Sequence, residues 1–273
     1  MEFLTDAFRF GSKDRIKSTG MKQINVYPTP ELTPDLPMNG TSVAIDVLRA
    51  TTTITTALRF GAAKVLPFET VEETVAAKET LLSRKPENAE NVRLGGERGG
   101  TPIPGFDFGN SPDEYTPETV AGKTLLFTTT NGTKAILRCR GTVILACFLN
   151  AQTVVERLLR DRPETVSIVC AGTDGQYTEE DLLLAGLLAD RITLRDGEYK
   201  LNVQAEVSRE QWRERRSKPL VELLKESRGG ANLRKVKLTK DVVDAAKIDS
   251  LDAVAEFRIG EIRLDSEFQR AKR

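Results

Sequence analysis

Short apolar runs rich in β-branched residues alternate with helix-forming segments along this 273-residue chain, and three of them end in polar loops rich in threonine or glycine. Strand-length runs lie at 24–27, 41–47, 64–68, 92–94, 124–128, 143–146 and 166–171. Helical patterns fall between them, at 52–60, 71–83, 133–138, 151–160 and 178–191. Gly61 is placed to stop the first helix, and Thr70-Val-Glu-Glu opens the second as a capping box. Thr178 is expected to cap the last of these through Asp181. Alternation of this kind predicts a three-layer α/β/α sandwich with a mixed, largely parallel sheet. Beyond Arg195 the chain becomes more charged and helical, around 204–227 and 239–247, and closes on a strand pair near 253–259 and 261–264.

Ligands in open α/β sheets bind at the carboxyl ends of strands, and all three polar loops fall there. They are Asp46-Val-Leu-Arg-Ala-Thr-Thr-Thr53, Gly95-Gly-Glu-Arg-Gly-Gly100 and Thr128-Thr-Thr-Asn-Gly132. Small residues free backbone N–H groups, hydroxyls donate, and two loops set an arginine near a carboxylate. Such equipment holds a multiply charged anion, most simply a phosphate ester with a divalent metal. A carboxylate where Asp46 lies is costly unless it binds a metal or accepts several donors; an Asx turn or cap is the plain alternative. Arg49 is placed to grip a phosphate bidentately, beside the hydroxyls of Thr51, Thr52 and Thr53. The paired glycines around Glu97-Arg98 fit either close backbone approach to a ligand or a hairpin turn. Asp174 and the Glu179–Asp181 acids read as helix-start residues, one of which could complete an oxygen shell for Mg²⁺. A long irregular segment from Gly99 to Thr116 carries Phe106, Phe108 and Tyr115 and is read as an ordered wall of the site.

The sequence contains no histidine, which removes histidine phosphatases, Ser-His-Asp hydrolases and His-ligated metals. Lysine plus arginine and aspartate plus glutamate are 40 each, so no basic field argues for nucleic acid. Cys139, Cys147 and Cys170 lack CxxC spacing and suit a reducing cytoplasm; Cys170 reads as a small buried apolar residue. No apolar run is long enough to span a bilayer. Residues 1–20 lack a signal peptide's apolar centre and are expected to be a disordered extension ahead of a single domain over 21–273. The strand–Thr-Thr-Thr–helix pattern at 43–58 recurs at 124–137. That echo fits either duplicated βα units or the generic way such folds hold anions. No oligomeric state is fixed; a homodimer is one admissible assembly.

The longer motifs resemble one family. Ile45-Asp-Val-Leu-Arg-Ala-Thr-Thr-Thr-Ile, Leu94-Gly-Gly-Glu-Arg-Gly-Gly, Gly105-Phe-Asp-Phe-Gly-Asn-Ser-Pro112, Thr128-Thr-Thr-Asn-Gly-Thr, Phe148-Leu-Asn and Cys170-Ala-Gly-Thr are similar to the 2-phosphosulfolactate phosphatase (ComB) family, over about Met21 to Leu264. The resemblance implies a ComB-like fold and Mg²⁺-dependent hydrolysis of 2-phosphosulfolactate to 3-sulfolactate and phosphate, a step toward coenzyme M in methanogens. Ser227-Arg-Gly-Gly-Ala-Asn-Leu233 keeps the family's C-terminal Ser-x-x-Gly-x-x-Leu element but lacks the histidine often found within it. On this reading Asp46 and Glu97 bind metal or orient water, with Asp181 a third candidate ligand. Arg49 and Arg98 clamp the anionic groups. Thr51, Thr52, Thr53, Gly99, Gly100, Asn110, Thr129, Thr130, Asn131 and Gly132 supply the remaining donors.

Overall fold

A computed structural model describes residues 21–271; the expectation for residues 1–20 lies outside them. The strands are β1 (Gln23–Tyr27), β2 (Thr41–Ile45), β3 (Lys64–Phe68), β4 (Val92–Arg98), β5 (Thr101–Pro102), β6 (Thr124–Thr128), β7 (Thr142–Ala146), β8 (Thr165–Cys170), β9 (Lys200–Leu201), β10 (Ala255–Arg258) and β11 (Glu261–Leu264). The helices are α1 (Ala50–Arg59), α2 (Val71–Arg84), α3 (Pro117–Val120), α4 (Gly132–Arg138), α5 (Ala151–Asp161), α6 (Glu179–Arg195), α7 (Val203–Arg215), α8 (Leu220–Glu226), α9 (Arg228–Lys235), α10 (Thr239–Ala245) and α11 (Ser266–Ala271).

One sheet orders the strands β5-β4-β6-β3-β11-β10-β7-β2-β8-β1-β9. The β4-β6-β3 group is parallel, as is the β7-β2-β8-β1-β9 group. The C-terminal β10–β11 hairpin is inserted between them and pairs antiparallel to both β7 and β3. β2 and β8 are buried on two faces, as parallel strands flanked by helices must be. Val43 and Ile45 of β2 point into the core under α5, α6 and α7, while Ala44 joins the core under α1 and α4. Leu94, Leu126 and Leu66 form a smaller cluster against α2. The mixed three-layer sandwich is therefore as expected.

Two local readings change. The Gly95–Arg98 stretch is not a loop, because β4 continues through it and Gly99-Gly100 turns the hairpin into β5. Helix α1 begins at Ala50, so Thr51–Thr53 lie inside it. The Thr70 capping box forms as expected, whereas the Thr178 hydroxyl makes no capping bond to α6. Helix α9 was not expected, since Gly229-Gly230 is a poor helical pair. Packing overrides propensity there: a Cβ on Gly230 would overlap the Leu224 carbonyl, and one on Gly229 would overlap the Glu180 carboxylate. Ser227 caps the helix by accepting from the Gly230 N–H.

Helices α6 and α7 approach closely at Gly186, where a Cβ would overlap the Ser208 carbonyl and press on Trp212. Gly186→Ala should therefore destabilise the protein by about 1–3 kcal/mol, despite alanine's better helix propensity. Urea unfolding measures this; an unchanged or raised midpoint would contradict the close packing.

Candidate active site

A cleft of about 310 Å³ opens where the three motifs meet. Its lining includes Asp46 and Arg49 from the β2–α1 loop, Glu97, Gly99 and Gly100 from the β4–β5 hairpin, and Thr130 and Asn131 before α4. Asn110, the Gly172-Thr173-Asp174 loop after β8, and a face of α9 complete it.

Strand geometry separates Glu97 from its neighbour. Successive side chains on a strand face opposite sides, so Glu97 lines the cleft and Arg98 does not. Arg98 instead donates to the Glu69 and Glu97 carbonyls and to the Thr128 hydroxyl. Glu97 Oε1 accepts from the Thr130 N–H at 2.7 Å, and Oε2 from the Gly100 N–H at 2.7 Å and the Thr130 hydroxyl at 3.1 Å. Two of the N–H groups expected to cradle an anion, those of Gly100 and Thr130, thus hold a carboxylate instead. Gly99 likewise donates to Thr130 Oγ1.

The threonines of α1 have a different task from the one expected. Thr51 donates to the carbonyls of Asp46 and Ala146, Thr52 to Val47 and Thr53 to Asn110. All three are fully buried, and their hydroxyls fasten the loops to one another. Thr129 and Thr133 bond each other across the first turn of α4, where Thr129 Oγ1 accepts from the Thr133 N–H. Gly132 has no room for a side chain, because a Cβ would overlap the Asp46 carboxylate and Ala50.

Arg49 also departs from expectation. Its guanidinium is held by Asp241 of α10 at 2.7 Å, Ser111 Oγ at 3.2 Å and the Gly100 carbonyl at 2.8 Å. The pair is buried, with side chains 3% and 2% exposed. Arg49 pins the C-terminal helices to the hairpin rather than presenting a free fork to a ligand.

Buried carboxylates gather beneath and beside the cleft. Loss of solvation raises the Asp46 carboxyl to about 7, and the nearby Glu97 charge adds to the effect. Burial likewise raises Asp181 and Glu180 to about 7, reinforced by Asp46 and by Asp181 respectively. Asp181 is not in the lining. Its two oxygens accept from the Val47 and Gly172 N–H groups, at 2.9 and 3.1 Å, tying the loops after β2 and β8 together. Asn110 Oδ1, by contrast, is buried and has no hydrogen-bond partner. Cys170 is a fully buried apolar filler, its thiol pushed well above the ordinary range by desolvation.

A family model described as 2-phosphosulpholactate phosphatase matches residues 27–260. The chain belongs to the 2-phosphosulfolactate phosphatase family. Relatives named probable 2-phosphosulfolactate phosphatase include one from Synechocystis sp., 36% identical over 236 residues, covering 84% of this chain and 94% of the relative. Others come from Caldicellulosiruptor saccharolyticus, 36% identical over 87% of this chain and 97% of the relative, and Deinococcus radiodurans, 39% identical over 81% and 88%. This is a family of phosphoric monoester hydrolases, and of the motifs that pointed to it all but Phe148-Leu-Asn150 contribute residues to the cleft. Sequence reading missed Asp241, Asn232 and Lys235, and offered Glu180 as one of the helix-start acids. The Ser227–Leu233 element was the available signal for α9, but its glycines concealed a helix.

The three raised carboxyls give stability a definite pH dependence. Folded, they retain protons that the unfolded chain releases near pH 4, so their contribution is full below that value and lost as pH rises through about 7. In the presence of EDTA, Asp46→Asn should therefore stabilise the protein at pH 8 by on the order of 1–3 kcal/mol, and by less than half as much at pH 5. Thermal unfolding at the two pH values checks this; a variant less stable at pH 8 would mean that the Asp46 charge is already compensated.

Proposed function

We propose that this protein is an Mg²⁺-dependent phosphatase that hydrolyses 2-phosphosulfolactate to 3-sulfolactate and phosphate. The charge of the cleft carries this reading. Asp46, Glu97 and Asp174 line it against Arg49 and Lys235, and Arg49 is already paired with Asp241. A phosphate ester with further acid groups would be repelled by such a surface unless a cation entered with it.

The donor set fits Mg²⁺. Among the described residues no three acidic or cysteine side chains are arranged to hold a metal by themselves. Mg²⁺ does not require that, because it is bound through one or two carboxylates and keeps water and substrate oxygens for the rest of its shell. Asp46 and Glu97 would hold it, with the unpartnered Asn110 Oδ1 as the neutral oxygen of the set. When bound, the cation neutralises charge on the phosphoryl group as the ester bond breaks.

The chain's own residues supply position. Glu97 fixes the hairpin tip against the β6–α4 loop through its three accepted bonds. Gly132 lets Asp46 approach α4 without obstruction. Arg49 keeps the Gly100 turn and α10 in place, which closes one side of the cleft around a small ligand.

Phosphate release from racemic 2-phosphosulfolactate should require Mg²⁺, cease with EDTA, and fall by roughly two orders of magnitude or more in Asp46→Asn. Hydrolysis of phospholactate or phosphoglycerate alone would point to a different small phosphorylated acid. Tight anion binding without Mg²⁺ and without release from any ester would replace the phosphatase by a binding protein.

A further inference from the structure

We propose that Lys235, supported by Asn232, receives an acid group at the non-reacting end of the substrate, and so sets the preference for esters that carry a carboxylate or sulfonate beside the phosphate. This rests on the phosphatase reading of the same cleft.

The argument begins with the face of α9. Gly229, Asn232, Leu233 and Val236 follow helical spacing and line the cleft together, with Lys235 beside them. Val236 Cγ2 lies 3.9 Å from where a Cβ on Gly100 would be, so this end of α9 stands across from the hairpin tip. The helix is held firmly. Ser227 caps it, Glu180 packs against Gly229, and the following helix is anchored through Asp241 to Arg49.

The second step concerns the cations. Arg49 and Lys235 are the two in the lining among the described residues. The Arg49 guanidinium is taken by Asp241, Ser111 and the Gly100 carbonyl. Nearby Arg228 is drawn to Asp174, at 3.7 Å. The Lys235 ammonium donates to the neutral Asn232 Oδ1, at 3.4 Å, and among the described residues it has no carboxylate within ion-pair distance. An ammonium has three donors, so two remain for a ligand.

The third step is the polarity of the cleft. Its Asp46–Glu97 end is acidic and accepts the phosphoryl group only together with a divalent cation. A carboxylate or sulfonate left at that end would meet the same repulsion without such relief. Lys235 offers the unpaired positive charge of the lining, on a flexible stem able to adjust to either acid group. A phosphate ester without a second acid group has nothing for it to hold.

The test uses the Mg²⁺-loaded enzyme and three esters: 2-phosphosulfolactate, phospholactate and isopropyl phosphate, which has neither acid group. Lys235→Met should raise KM for the first by about tenfold to a hundredfold, with kcat within a fewfold. KM for isopropyl phosphate should be unchanged, and Lys235→Arg should recover part of the loss. A rise shared by phospholactate identifies the carboxylate as the group held; a rise confined to 2-phosphosulfolactate identifies the sulfonate. An unchanged KM for both acids, or an equal rise for isopropyl phosphate, would overturn the assignment. Calorimetric binding of 3-sulfolactate judges it separately from turnover. Binding weakened tenfold or more in Lys235→Met supports the contact even if no ester is hydrolysed, and equal or absent binding in the wild type and variant removes it.

Discussion

The site depends on the buried Arg49–Asp241 ion pair. Two charges so far from water are stabilising only when the remaining donors find acceptors as well. Here Ser111 and the Gly100 carbonyl take them, so one guanidinium joins the β2–α1 loop, the β4–β5 hairpin, the irregular segment before α3, and α10. Removing one member would leave an uncompensated charge inside, a change that costs about 3–5 kcal/mol in buried pairs. The C-terminal helices therefore form part of the cleft by electrostatic attachment as well as by apolar packing of Leu223, Leu224 and Leu233.

The same economy of donors explains why the cleft is acidic. A glycine-rich turn and a helix start would ordinarily attract an anion. In this molecule the Glu97 carboxylate takes the Gly100 and Thr130 N–H groups, and Asp181 takes those of Val47 and Gly172. Part of the anion-holding equipment is thus taken from within by carboxylates, which brings negative charge to the loops that line the cleft. Burial of Asp46, Glu180 and Asp181 then works against their ionised forms. Such an arrangement is destabilising in isolation and makes chemical sense where a cation restores the balance.

Much of this was legible in the sequence, and the failures share one cause. Strand positions, the capping box at Thr70 and the convergence of Asp46, Glu97, Asn110 and Thr130 follow from local pattern and motif. The roles of Arg49, Arg98, Thr51, Thr52 and Thr53 do not, because each depends on what stands opposite in three dimensions. Arg98 was grouped with Glu97 by adjacency, and the continuation of β4 turned it to the other face. The pattern offers the threonines as donors to a ligand, but Ala146 and Asn110 present carbonyls that take two of them. Asp241 lies 192 residues from Arg49 in sequence, beyond the reach of any spacing rule.

The sheet itself poses the remaining problem, because the two parallel groups run in opposite senses. β3 and β11 are antiparallel, β11 and β10 are antiparallel, and β10 and β7 are antiparallel again. In a flat sheet the carboxyl ends of β4 and β6 would lie at the opposite edge from that of β2. Each step between neighbouring strands adds a twist of roughly 20–25°, and five steps separate β6 from β2. The accumulated rotation is on the order of 100–125°, enough to swing the two sets of carboxyl ends toward one another around α1 and α4. Those helices pack Ile54, Leu58, Ala135 and Ile136 into one core with Ala44 of β2 and Leu125 of β6. The β10–β11 hairpin provides three of the five steps, so this late segment, none of whose side chains is in the cleft lining, supplies most of the rotation between the two groups.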